Sequence, residues 1–142
     1  MSKWTTELTR LMVTLPDLLS LAGAEARIIL ALRTAVMGNK LQRDVRGELG
    51  EKLGSRQAVN RFEILIESVG LGWPDSFQLG RICCQCTTLD EITLITMMRH
   101  AASGDRPGFD ALTCEMIGPC ERERIYGDMR GFASCYHPAP LA

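Results

Sequence analysis

The sequence predicts an all-α fold, a compact single-domain bundle of six to seven helices. Three observations carry that expectation. Leucine occurs 18 times and alanine 12 times against only five valines, a balance that favours helix over sheet. Apolar residues recur at three- and four-residue spacing through most of the chain. Capping residues and Gly or Pro stops fall where those periodic runs begin and end. With 142 residues, 46% apolar and 23% charged, the chain has the size and composition of one globular domain. A disordered segment, a collagen-like repeat and a pure coiled coil are excluded.

The elements follow in order. A first helix is expected over about Ser2 to Thr14, with Trp4, Leu8, Leu11 and Met12 on one face and Pro16 as its stop. A second is expected over about Ala22 to Met37. Ile28, Ile29, Leu32, Ala35 and Val36 share one face while Leu30 and Met37 lie opposite, the pattern of a helix central in the core. Gly38-Asn39 closes it, since both tolerate the left-handed conformation of a helix end. A third helix carries Leu41, Val45, Leu49 and Leu53 at four-residue spacing. A fourth is expected from Ser55, its N-cap, to Val69, with Gly70 as its end. Leu71 to Cys86 has no helical period and reads as a long connection, a length that is uncommon in a compact domain and is sometimes functional. The fifth helix begins at Thr88, where Thr88-Leu-Asp-Glu91 has the form of a capping box. Two shorter helices follow, Pro107 to Ile117 and Pro119 to about Tyr136, divided by Gly118-Pro119. The domain so read has an N-terminal helix and connection over 1–21, a helical core over 22–136 and a tail over 137–142.

Net charge is −1, so no whole-molecule basic field points to nucleic acid or to an anionic membrane. The cleanest apolar stretch, Ile28 to Leu32, is closed by Arg33 and is far short of a membrane span. The N-terminus lacks the apolar core and cleavage site of a secretory signal. The expected setting is therefore the cytoplasm, without membrane association.

Six cysteines are many for such a setting, where stable disulfides are disfavoured and weight shifts to metal, redox chemistry or packing. Cys83-Cys84-Gln85-Cys86 lies just before the Thr88 cap. The N-terminal end of a helix favours thiolate, the species that binds metals and attacks disulfides. Cys83 and Cys86 have the two-residue spacing that lets both sulfurs reach one ion. A zinc site would draw these two together with ligands from Cys120, Cys135 and His137. A redox site would use Cys83, Cys84 and Cys86, with Cys84 directed away from the side that Cys83 and Cys86 share. The plainest alternative is packing, because free cysteine behaves as a small hydrophobe. Cys114, near Leu112 and Ile117, is expected in the core on that ground. Only His100 and His137 could serve a cysteine as base. His100 already has a structural reason at a helix C-terminus, where a cation is favoured.

The run Glu48 to Glu63 resembles a bacterial helix-turn-helix, with Gly50, Gly54 and Val59 in the places that set the angle between its two helices. Arg56, Gln57, Asn60 and Arg61 are side-chain types that read base edges or phosphates. The turn departs from that motif. Gly54 and Val59 are five positions apart where the motif has six, which rotates the second helix by about 100°. Glu63 and Glu67 also place negative charge beside Asn60. The alternative is two core helices joined by a capped turn.

The run Arg56 to Glu67, the Cys83-Cys84-x-Cys86 cluster and the Thr88-x-Asp90-Glu91 start together resemble a small bacterial family of helical single-domain proteins with a Cys-Cys-x-Cys-like motif after a basic segment. The resemblance spans roughly residues 24 to 135. It implies one helical domain and brings no activity and no catalytic residues with it. The expectation for function is a binding or regulatory module rather than an enzyme, with the cysteine cluster as a metal or redox-sensitive site. The alternatives are DNA binding through residues 44–67, and a helical interaction module with a protein partner or a second copy of itself, its cysteines serving only to pack.

Overall fold

The structure is a computed structural model and describes residues 15–137. It is an all-helical bundle. Six α-helices are found among the described residues: α1 (Gly23–Lys40), α2 (Arg46–Leu53), α3 (Arg56–Gly72), α4 (Leu89–Ala102), α5 (Arg106–Thr113) and α6 (Pro119–Cys135). A single 3-10 turn, Leu18–Ser20, precedes them. The expected helix over Ser2 to Thr14 lies outside the described residues. No described helix is long and apolar enough to cross a membrane.

The long helices α3 and α6 form the most extensive pairing, and α4 packs on α6 as well. Their shared core is Phe62, Leu65 and Val69 from α3, Leu94, Ile95 and Met98 from α4, and Ile125, Met129 and Phe132 from α6. The rings of Phe62 and Phe132 meet with centroids 5.5 Å apart. Ser68 and Asp128 hydrogen-bond across the same helix pair. The apolar sequence pattern of α1 is realised as expected, with Ile28, Ile29, Ala31 and Leu32 all buried.

Local chemistry sets the boundaries. Ser55 caps α3, accepting from the Ala58 amide at 3.0 Å, and Gly54 takes φ of 89° to make the turn that precedes it. A residue with a Cβ is strained there. The expected run from Leu41 into α2 is broken, because Gln42 adopts φ of 53°. The helix therefore starts only at Arg46, and Leu41 is 58% exposed rather than buried. Helix α3 continues past the expected stop at Gly70, and the Trp73 amide still bonds to the Val69 carbonyl. Thr88 and Glu91 form the capping box of α4, each side chain accepting from the other's backbone amide.

Between α3 and α4 the chain runs from Trp73 to Thr88 without helix or strand. It is held at the far end by the segment before α1. The Leu18 amide donates to the Gln85 carbonyl at 2.8 Å, the Thr87 hydroxyl donates to the Pro16 carbonyl at 2.5 Å, and Asp17 and Cys86 form an isolated antiparallel bridge.

Candidate functional site: a thiol loop clamped by a buried ion pair

The cysteine loop is shaped from beneath by one side chain. Arg33 projects from α1 and is 2% exposed, and Glu91 of α4 is fully buried against it. The guanidinium grips the carboxylate with two parallel bonds, Nε to Oε2 at 2.7 Å and Nη2 to Oε1 at 2.8 Å. Its remaining donors go to backbone carbonyls of the loop. Arg81 accepts at 2.9 Å, Cys84 at 2.7 Å and Cys86 at 2.8 Å. All five N–H donors of an arginine are thus spent. The carboxylate is equally occupied, since it also accepts from the amides of Thr88 at 2.9 Å and Gly80 at 3.2 Å. Glu91, first through its hydrogen bond and then through its charge, holds the Arg33 pKa above its ordinary value against the opposing effect of burial.

The carbonyl pattern explains which thiols meet. In extended backbone, residues two apart point their groups to the same side. The carbonyls of Cys84 and Cys86 both turn to Arg33, while that of Gln85 turns the other way to Leu18. The Cys84 and Cys86 side chains then share a face. Cys84 Sγ accepts the Cys86 amide at 3.4 Å. Cys83 lies instead within the turn closed by the Cys84 amide on the Arg81 carbonyl. Two expectations are corrected by this geometry. Cys84 is not directed away from Cys86 but sits beside it. The Cys86 thiol is raised above its ordinary pKa rather than lowered by the helix end, first by its hydrogen bond with Cys84 and the Cys84 charge, then by desolvation and by Asp17.

The other sequence-derived candidates fare differently. Cys114 is exposed and not in the core, because α5 ends at Thr113 and leaves it outside the packed face. None of the six cysteines is fully buried; Cys84 and Cys135 are half-buried and the other four are exposed. Among the described residues no three His, Cys, Asp or Glu side chains are grouped to hold a metal ion. Cys120 and Cys135 stand at opposite ends of α6, about 22 Å apart at 1.5 Å per residue. One zinc therefore cannot take both with Cys83, Cys86 and His137. The His137 ring bonds the Ser134 carbonyl at 3.1 Å. The His100 ring meets Asp105 at 3.0 Å, and the Asp105 carboxyl is held below its ordinary pKa, first by the Gly108 amide and then by His100.

The helix-turn-helix-like corner is present as two packed helices, α2 and α3, with Val59 buried between them and the core. Arg56, Gln57, Asn60 and Arg61 all lie on the exposed side of α3. Two of them are engaged within the chain. Asn60 accepts from Arg46 at 2.7 Å, and the same Arg46 pairs with Glu63 at 2.9 Å. Arg61 lies along α6, its guanidinium 3.3 Å from the point a Cβ on Gly131 would occupy.

The Arg33–Glu91 pair is not among the sequence expectations, although it has a signal. Arg33 interrupts a helix that is apolar on two faces, and a charge in that position needs a buried partner.

Fold and site together define the class: a small all-helical domain that presents thiols on a loop clamped from its own core. Compared with protein families, curated proteins and solved structures, the chain finds no match.

Proposed function

We propose that this chain is a small regulatory or binding module whose reactive element is the cysteine loop, acting as a redox-sensitive thiol site. The observation that carries the reading is the use made of Arg33. A buried ion pair is weak as a source of stability, because desolvation offsets most of the attraction between the charges. Here the pair is fully buried and its spare donors go to the carbonyls of Arg81, Cys84 and Cys86. What it supplies is a fixed shape for the segment that bears three thiols, two exposed and one half-buried. The absence of all six cysteines from the core supports the same reading.

The test is a thiol count by a chromogenic disulfide reagent on the folded and unfolded chain, with elemental analysis of protein purified without chelator. The reading expects the loop thiols to react in the folded state, without a stoichiometric metal. Thiols that react only after unfolding would overturn it. So would one zinc per chain that protects them, which would make the loop a metal site instead.

A further inference from the structure

We propose that Cys84 and Cys86, not Cys83 and Cys86, are the redox couple of this loop, and that they close to a disulfide by exchange with a low-molecular-weight disulfide, loosening the contact between residues 16–18 and the loop. This rests on the reading of the loop as a thiol site and names its reacting pair, its co-reactant class and its structural consequence.

The pairing follows from the backbone. Arg33 draws the carbonyls of residues 84 and 86 to one side, which places their side chains on one face, and Cys84 Sγ already lies over the Cys86 amide. Cys83 belongs to the preceding turn and is exposed. Cys84, whose sulfur already receives the Cys86 amide, is the first nucleophile. Cys84 gives up its proton to solvent and attacks one sulfur of the small disulfide. One equivalent of small thiolate leaves and takes up a proton, and a mixed disulfide forms on Cys84. Cys86 then loses its proton and attacks the Cys84 sulfur, expelling the second equivalent. The two cysteines are oxidised by two electrons and the small disulfide is reduced to two thiols.

Closure carries a geometric cost. On extended backbone the Cβ atoms of residues two apart stand about 6.6 Å from one another, whereas a disulfide brings them to about 3.5–4.5 Å. The segment must therefore bend. The group that bends is the one whose central carbonyl receives the Leu18 amide and whose Cys86 pairs with Asp17. A strained bond of this kind is readily reduced again, as a reversible signal requires.

The experiment uses the full reduced chain and oxidised glutathione. After quenching and alkylation, the tryptic peptide Ile82–Arg99 carries all three thiols, and fragmentation locates the bond. The proposal expects a Cys84–Cys86 link with Cys83 alkylated. It expects C83S to close at the wild-type rate, and C84S and C86S to stop with glutathione still attached or not to react. It also expects hydrogen exchange at the Leu18 amide to rise at least about tenfold on closure. A Cys83–Cys86 or Cys83–Cys84 bond would overturn the pairing while leaving the thiol-site reading intact. No reaction at any of the three would overturn both. Closure with Leu18 exchange unchanged would overturn the loosening.

Discussion

At the α2–α3 corner and at the cysteine loop, charge does opposite jobs. At the corner, side chains hold one another on the surface. Arg46 reaches Asn60 and Glu63, with both members of the ion pair about half exposed, while the backbone follows ordinary helix and capping rules. At the loop, a buried pair holds the backbone, and of the loop's own thiols two are exposed and one is half-buried. Exposed pairs are worth about 0–1 kcal/mol and are screened by salt. A buried one is costly to break from one side. The contrast teaches that the loop takes its shape from a distant buried pair, whereas the corner takes its shape from its own local sequence.

The largest expected effect breaks the clamp from one side. Glu91→Ala leaves the Arg33 charge buried and unpaired, and a loss of about 3–5 kcal/mol is expected in urea unfolding. Arg33→Met combined with Glu91→Leu removes both charges together and should lose less, the remaining cost coming from the loop carbonyls and amides left without partners. If the two variants unfold alike, the pair is not acting as a pair.

Next in size is Gly80→Ala. A Cβ there would come 2.3 Å from Arg33 Nη2, and the guanidinium is fixed by every donor it has. A loss of about 1–3 kcal/mol is expected, with faster exchange at the Thr88 amide. A neutral result would show that the guanidinium moves freely and that the loop is not clamped.

The smallest effect belongs to the corner. Arg46→Ala should cost under about 1 kcal/mol, and the difference should vanish in concentrated salt. A larger, salt-resistant loss would erase the contrast between the two regions. Freed of Arg46, Asn60 is more available. If the variant gained salt-sensitive retention on duplex DNA, the corner would have to be reconsidered as an interface.

How much of this was legible in the sequence differs between the same two regions. Helix α3 and its Ser55 cap, the Thr88–Glu91 box and the two-faced apolar pattern of α1 are local, and each was read from residues within a turn or two of one another. The end of α3 is not legible at Gly70, because a glycine whose missing side chain leaves only open space is tolerated inside a well-packed helix. The loop was legible as a cysteine-rich connection but not as a structure. Its shape comes from Arg33 and Glu91, 58 residues apart in the chain, and no local pattern connects them. Glu91 is legible as half of a capping box, and its second role has no local signal. The choice of Cys84 with Cys86 depends on extended backbone, whereas the two-residue spacing of Cys83 and Cys86 had favoured the other pair.

The central claim is that the Arg33–Glu91 pair, and not local sequence, gives the cysteine loop its shape. The most direct test is native-state hydrogen exchange at the Leu18 amide in the Arg33→Met/Glu91→Leu chain. Leu18 bonds to the Gln85 carbonyl and to neither member of the pair, so it reports the loop's shape and not the loss of an acceptor. The account predicts exchange at Leu18 faster by at least about tenfold, with the Phe132 amide in α6 unchanged. Equal protection at Leu18 with and without the pair would contradict it.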